Sequence, residues 1–202
     1  AKKLFGGDHE ISISRLEKYA ACAYAHFLTY GLQLKERRQF ELGEADYGSL
    51  FHASISHFFE LLEKRHLNWR EITDVQRNQL VEESVAKAME EYQTTVFDSS
   101  ARNKSMAGRI RRMTDRTLWA LGCQWEHGSY EKTWHELDFG RAGGNGVTLP
   151  VEEGLELSLR GRIDRVDFAE EDGSLYVKVI DYKSGSTKLD LGKVYYGLQL
   201  QL

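Results

Sequence analysis

The sequence predicts an α/β protein, helical over residues 1–130 and strand-rich over residues 131–202. Three observations predict it. Apolar residues recur at helical spacing from Leu16 to Trp125. From Thr133 the pattern changes to that of strands. An Asp-Gly pair, Asp172-Gly173, then separates two strand-like runs as a hairpin turn would. A chain of 202 residues, 41% hydrophobic and 29% charged, fits a single globular domain able to bury roughly 70% of its unfolded surface. The net charge of -4 gives no global basic footprint, which argues against a protein that simply coats DNA. No apolar run approaches the ~20 residues of a membrane span. The first residues lack the apolar region of a secretory signal. Two cysteines make no disulfide framework, so a cytoplasmic protein is expected. The single proline, Pro150, leaves no Pro-rich linker.

Ser14-Arg15-Leu16-Glu17 reads as a capping box, Leu16, Tyr19, Ala20, Ala23, Phe27 and Tyr30 as one helix face, and Gly31 as its stop. Cys22 falls inside this helix and reads by itself as a small buried hydrophobe. Phe40 to Gly48 is polar and reads as a loop. Gly48 to His52 opens a second helix with Phe51, Ile55, Phe58, Phe59 and Leu62 as its stripe. His52 stands at the stripe's edge, where an isolated histidine is ordinarily a packed or hydrogen-bonded residue. Thr73-Asp74-Val75-Gln76 caps a third helix, with Leu80, Val81, Val85, Ala88, Met89 and Tyr92 inward. Asp98 to Lys104 reads as a loop. A fourth helix follows from Met106 to Trp125, with Met106, Ile110, Met113, Thr117, Leu121 and Trp125 on one side. Its other side carries Arg109, Arg111, Arg112 and Arg116. Such a face is either solvated or, in a nucleic-acid enzyme, a phosphate track. Cys123 reads as a buried or half-buried helix residue. Trp134 to Phe139 is the first strand; Val147 to Val151 and Leu155 to Phe168 follow. The Gly-rich turn at Gly140 to Gly146 lacks phosphate-loop spacing. Glu136 is an acidic residue with no assigned role.

The hairpin organises the rest. Its runs are Arg160 to Phe168 and Leu175 to Lys183, joined by Glu170-Glu171-Asp172-Gly173. Leu175, Val177 and Val179 share one face, which reads as core-directed, and Asp181 and Lys183 continue it. With the turn centred near Glu171-Asp172, Phe168 faces Leu175 and Asp164 faces Val179. Asp164 and Asp181 then share a face at a diagonal of roughly 7 Å, close enough for one divalent ion to bridge them. Inward charges are normally paired or metal-bound. The plainer reading pairs Asp164 with an arginine and leaves Asp181–Lys183 as a surface salt bridge.

Asp164 in Gly161-Arg162-Ile163-Asp164-Arg165, followed by Asp181-Tyr182-Lys183-Ser184-Gly185, resembles the signature of the PD-(D/E)XK nucleases, most narrowly the RecB-type exonuclease branch. The resemblance implies a mixed sheet flanked by helices. It implies Asp164, Asp181 and Lys183 as catalytic residues. It adds His52, four residues after Gly48, and the main-chain carbonyl of Tyr182 as further metal ligands. The ion would be Mg2+, with Mn2+ substituting because imidazole suits it. Lys183 would orient or help deprotonate the attacking water. Ile11 to Phe27 is similar to the segment that opens the nuclease domain of AddB-type subunits of AddAB helicase–nucleases. There, Cys22 would map to one ligand of a 4Fe–4S cluster whose other three ligands lie beyond this sequence; the family's proline after it is Ala23 here.

The last five residues alternate, which by period alone says strand; the resemblance says helix, with Gln201 as the glutamine of a DNA-contacting motif and Gln199 beside it. On that reading the chain stops inside its last core helix. Taken together, the resemblance implies an exodeoxyribonuclease acting on single strands released from unwound duplex during double-strand-break processing, beside an AddA-like helicase–nuclease subunit. The alternative is a catalytically silent DNA-end-binding or scaffolding module with the same fold.

Overall fold

The computed structural model describes residues 10–35, 43–97, 101–130, 132–140, 146–152, 155–185 and 191–192. In chain order these form β1 (Glu10–Ser12), α1 (Ile13–Ala21), α2 (Ala23–His26, continued by one π turn over Phe27–Gly31), α3 (Glu44–Lys64), α4 (Asp74–Phe97), α5 (Ala101–His127), β2 (Lys132–Phe139), β3 (Val147–Glu152), β4 (Leu155–Glu171) and β5 (Ser174–Ile180). The strands make one mixed five-stranded sheet in which β4 pairs with all the others. The chain divides into two compact units.

The first unit holds residues 1–38, 137–163 and 187–202. Within it β1 runs parallel to β4, Glu10 opposite Ser158 and Ser12 opposite Arg160, while β3 runs antiparallel to β4. The sequence reading missed β1, although Ile11-Ser12-Ile13-Ser14 alternates. Entering the strand displaces the helix start: Ser12, not Ser14, is the N-cap, its hydroxyl accepting from the Arg15 N–H at 3.2 Å. The expected single helix to Gly31 is broken at Cys22, whose backbone is extended at φ -162°. The Cys22 thiol caps the next turn, Sγ accepting from the Ala25 N–H at 3.5 Å. That break splits the expected apolar face, so Tyr19, Ala20, Cys22 and Ala23 are exposed. The inward residue is instead His26, whose Nε2 accepts from Arg15 Nε at 3.3 Å. Gly161 is explained by close packing: a Cβ there would lie 2.6 Å from Phe139 Cζ.

The second unit holds residues 39–136 and 164–186. Its core is α3 against α4 and α5, with Phe51, Ile55 and Phe58 meeting Leu80, Val81, Ile110 and Leu118, all almost fully buried. Each such side chain contributes roughly 1.5–3 kcal/mol. The helix begins at Glu44 rather than Gly48 because Gly43 donates its N–H to Asp46 Oδ2 at 2.7 Å. Tyr92 of α4 donates its hydroxyl to the other Asp46 oxygen. The Thr73 box forms as expected: Gln76 N–H donates to Thr73 Oγ1 at 3.3 Å and Thr73 N–H to Gln76 Oε1 at 2.9 Å. Helix α5 starts at Ala101, inside the segment expected to be a loop, since Ala101-Arg102 and Lys104 favour helix despite their polarity. Its most buried residues include Ile110, Thr114 and Leu118, while Met113 and Thr117 of the expected face are half-buried, Met113 against the core.

The hairpin of β4 and β5 turns at Asp172 and Gly173, both at positive φ (51° and 73°). Phe168 pairs with Val177 and Arg165 with Ile180. The register is therefore two residues away from the expected one, because the turn sits one position later. The expected core face of β5 is also reversed. Leu175, Val177 and Val179 are exposed, while Ile180 and Tyr182 pack against the helical core. Both faces of this strand carry apolar residues, so alternation could not choose between them; packing against α3 to α5 did.

Candidate metal centre

Three side chains of the second unit converge. His52 reaches from α3, Glu136 from β2 and Asp164 from β4, each offering one ligand atom within 4.8 Å of the others. The His52 Nδ1 lies 3.2 Å from Asp164 Oδ1. The other Asp164 oxygen accepts the Tyr182 backbone N–H at 2.7 Å. That bond exists because Tyr182 is buried, its ring edge-on to Phe51 and His52 at 6.5 and 6.1 Å. An apolar anchor on the D-Y-K segment thus fixes the carboxylate's orientation.

The electrostatics follow from these contacts. The hydrogen bond to Asp164 raises the His52 pKa above its ordinary value; burial opposes it and Glu136 adds to it. Burial alone would raise Asp164, but the His52 and Tyr182 hydrogen bonds outweigh it, and the Lys183 charge adds, so its carboxyl is held low. Asp164 therefore favours its carboxylate form, and a divalent cation would compete with the proton for the His52 imidazole. One imidazole and two carboxylates are a donor set that suits Mg2+ or, better, Mn2+. Three such donors gathered within 4.8 Å of one another fit that class of ion.

Sequence reading assigns Glu136 no role, and the structure shows why. Its φ is +51°, which interrupts the alternation of β2, so that His135, Glu136 and Leu137 are all partly covered. A local irregularity of this kind re-aims a side chain, and nothing in Trp134 to Phe139 announces it.

Asp181 and Lys183 face outward instead of inward, each about half exposed, and pair with one another at 2.5 Å. Asp181 is not a member of the three-residue cluster. Arg109 and Arg112 are exposed on α5. Gln199 and Gln201 lie outside the described residues; nearer that end, Leu191 and Gly192 are helical. Cys22 is exposed and Cys123 half-buried, and both are free thiols. A 4Fe–4S cluster takes four thiolates, so a chain with two cysteines does not fit one alone.

Behind the cluster lies a buried layer. His135 stacks on Phe59 with ring centroids 3.6 Å apart, and neither of its nitrogens has a partner among the described residues. Burial, reinforced by the Arg165 cation, pushes its pKa down to about 3. It is neutral when folded and takes up a proton on unfolding below pH ~6.5. Its contribution to stability is thus complete above pH 6.5 and is lost as pH falls toward 3, by at most about 1.4 kcal/mol per pH unit. His135→Phe should retain the stacking and flatten that acid limb in urea melts taken from pH 7 to pH 4; an unchanged slope would assign the acid sensitivity elsewhere.

Comparison with known proteins identifies the family. The sequence profile of the PD-(D/E)XK nuclease superfamily matches residues 10–202. The B-type subunit of the ATP-dependent helicase/deoxyribonuclease of Lachnoclostridium phytofermentans is 45% identical over 202 residues, covering all of this chain and 17% of that protein. The same-named subunits of Alkaliphilus metalliredigens and Clostridium acetobutylicum are 38% and 36% identical, again over the whole chain and 18% of each protein. The chain thus spans less than a fifth of the length of these relatives. No helix among the described residues is long and apolar enough to cross a membrane. With a profile match over nearly its full length, and His52, Glu136 and Asp164 gathered beside the D-Y-K segment, this chain belongs to the PD-(D/E)XK nuclease superfamily.

Proposed function

We propose that the chain is the divalent-metal-dependent deoxyribonuclease module of an AddB-like subunit, hydrolysing phosphodiester bonds of single strands during double-strand-break processing. The observation that carries the reading is the convergence of His52, Glu136 and Asp164 next to Lys183. The similarity to helicase/deoxyribonuclease subunits supports the setting, with an AddA-like partner supplying unwound DNA.

His52, Glu136 and Asp164 would hold Mg2+ or Mn2+, with Asp181 and the Tyr182 carbonyl as further donors. The bound ion supplies Lewis-acid polarisation of the phosphate and a lowered pKa for a bound water. The protein does the remaining work. The Tyr182 N–H holds the Asp164 carboxylate in one orientation at 2.7 Å. Lys183, exposed and paired to Asp181, is free to turn to the scissile phosphate, where its ammonium orients the attacking water and offsets the charge that develops on the phosphate oxygens.

The test is cleavage of end-labelled single-stranded DNA with Mg2+ or Mn2+, beside Asp181→Ala and Lys183→Ala. Metal-dependent cleavage lost by about 100-fold or more in both variants is expected. DNA binding without cleavage by a folded, metal-loaded protein would instead indicate a silent end-binding module.

A further inference from the structure

Helix α5 presents one face that its fold does not use. At about 100° per residue, Arg109, Arg112, Arg116 and Trp119 fall within an arc of about 80°. All four are exposed, Trp119 by 55%. The apolar line of the helix, Met106, Ile110, Leu118 and Leu121, is already buried elsewhere. The carboxylates nearby are engaged away from the stripe: Glu82 with Arg111 at 3.1 Å, and Asp115 with Arg77 at 3.0 Å. Among the described residues no carboxylate pairs with Arg109, Arg112 or Arg116, and no ring or cation contacts Trp119. In a chain of net charge -4 this face gathers three exposed guanidiniums beside an exposed indole. It complements a polyanion that also offers flat faces.

A duplex hides those faces inside its base stack, whereas a single strand exposes them to aromatic side chains. At about 1.5 Å per residue, Arg109 and Trp119 are about 15 Å apart along the helix, room for a short run of nucleotides. The Arg109 end adjoins the metal centre's own helix: its guanidinium stands 5.6 Å over the ring of Tyr47 on α3, which also carries His52.

We propose that this stripe is a docking track for single-stranded nucleic acid, with Arg109, Arg112 and Arg116 on successive phosphates and Trp119 stacked on a base. That the strand then runs on toward His52 and Asp164 rests on the nuclease reading above; the binding itself does not.

The experiment is fluorescence anisotropy of a labelled oligothymidylate and of a blunt duplex with the full chain in EDTA, so that no cleavage occurs. Trp119→Ala should weaken single-strand binding by about 5- to 150-fold, leave the duplex unaffected, and be largely rescued by Trp119→Phe. Arg112→Ala and Arg116→Ala should each flatten the dependence of log K on log salt by about 0.7. All three side chains are exposed, so melting curves should not move. Unchanged single-strand affinity in Trp119→Ala, equal weakening on duplex, or an unchanged salt slope would overturn the track. Cleavage with Mn2+ by a protein whose binding ignores the stripe would sink the track and keep the nuclease. Stripe-dependent binding without cleavage would do the reverse.

Discussion

Replacing Asp164 with asparagine is expected to weaken Mn2+ binding by more than about 100-fold while leaving the protein folded. Changes one shell out from a metal already cost about 10- to 100-fold in affinity, and Asp164 is placed to touch the ion itself. The amide oxygen of asparagine can still accept the Tyr182 N–H that Asp164 accepts at 2.7 Å, so the D-Y-K segment keeps its anchor. What disappears is the charge that faces His52 at 3.2 Å and shares the cluster with Glu136. Titration calorimetry with Mn2+, run beside a thermal melt, reads the two properties separately. An unaltered Mn2+ affinity together with a lowered melting temperature would make His52–Asp164 a structural ion pair and remove the basis for a metal at this place.

Replacing Arg165 with methionine should destabilise the second unit by about 3–5 kcal/mol, the range for breaking one side of a buried ion pair. Arg165 is 1% exposed and holds Asp167 with two hydrogen bonds, Nε to Oδ1 at 2.6 Å and Nη2 to Oδ2 at 3.1 Å. Its guanidinium also stands over Phe59, Trp69 and Trp125 at 5.6, 4.9 and 5.3 Å. Without it, among the described residues the Thr133 hydroxyl, at 2.7 Å, is the side-chain partner left to the buried Asp167 carboxylate. Adding Asp167→Val should recover much of the loss, because replacing both members of a buried pair with apolar residues is often close to neutral. Urea titrations of the two single variants and the double variant form the cycle. If the double variant is no more stable than Arg165→Met, the loss comes from the aromatic box around Arg165 rather than from the orphaned carboxylate.

Much of the architecture was legible because it depends on neighbours in sequence. The α3 stripe from Phe51 to Leu62 packs as its spacing predicts, the Thr73–Gln76 box caps α4, and Asp172-Gly173 makes the hairpin turn. The errors share one cause. Cys22 inside an apparently continuous helix, Ala101 in an apparent loop, and the two apolar faces of β5 are places where local pattern allows two outcomes within about 1 kcal/mol.

By itself, the sequence determined the superfamily and pointed to His52, Asp164, Asp181 and Lys183, but not to Glu136. G-x-I-D-R and D-Y-K-S-G are short, contiguous signatures whose residue types and spacing survive any folding detail, and they placed the chain in its superfamily. The tertiary structure alone decided what those residues meet. It brought His52 across from α3 to Asp164, turned Glu136 into the cluster through a left-handed backbone, and sent Tyr182 inward with Asp181 and Lys183 outward. Those outcomes follow from burial. The side of β5 that packs on α3 to α5 is chosen by the apolar volume those helices leave open, and that volume exists only once residues far apart in the chain have come together.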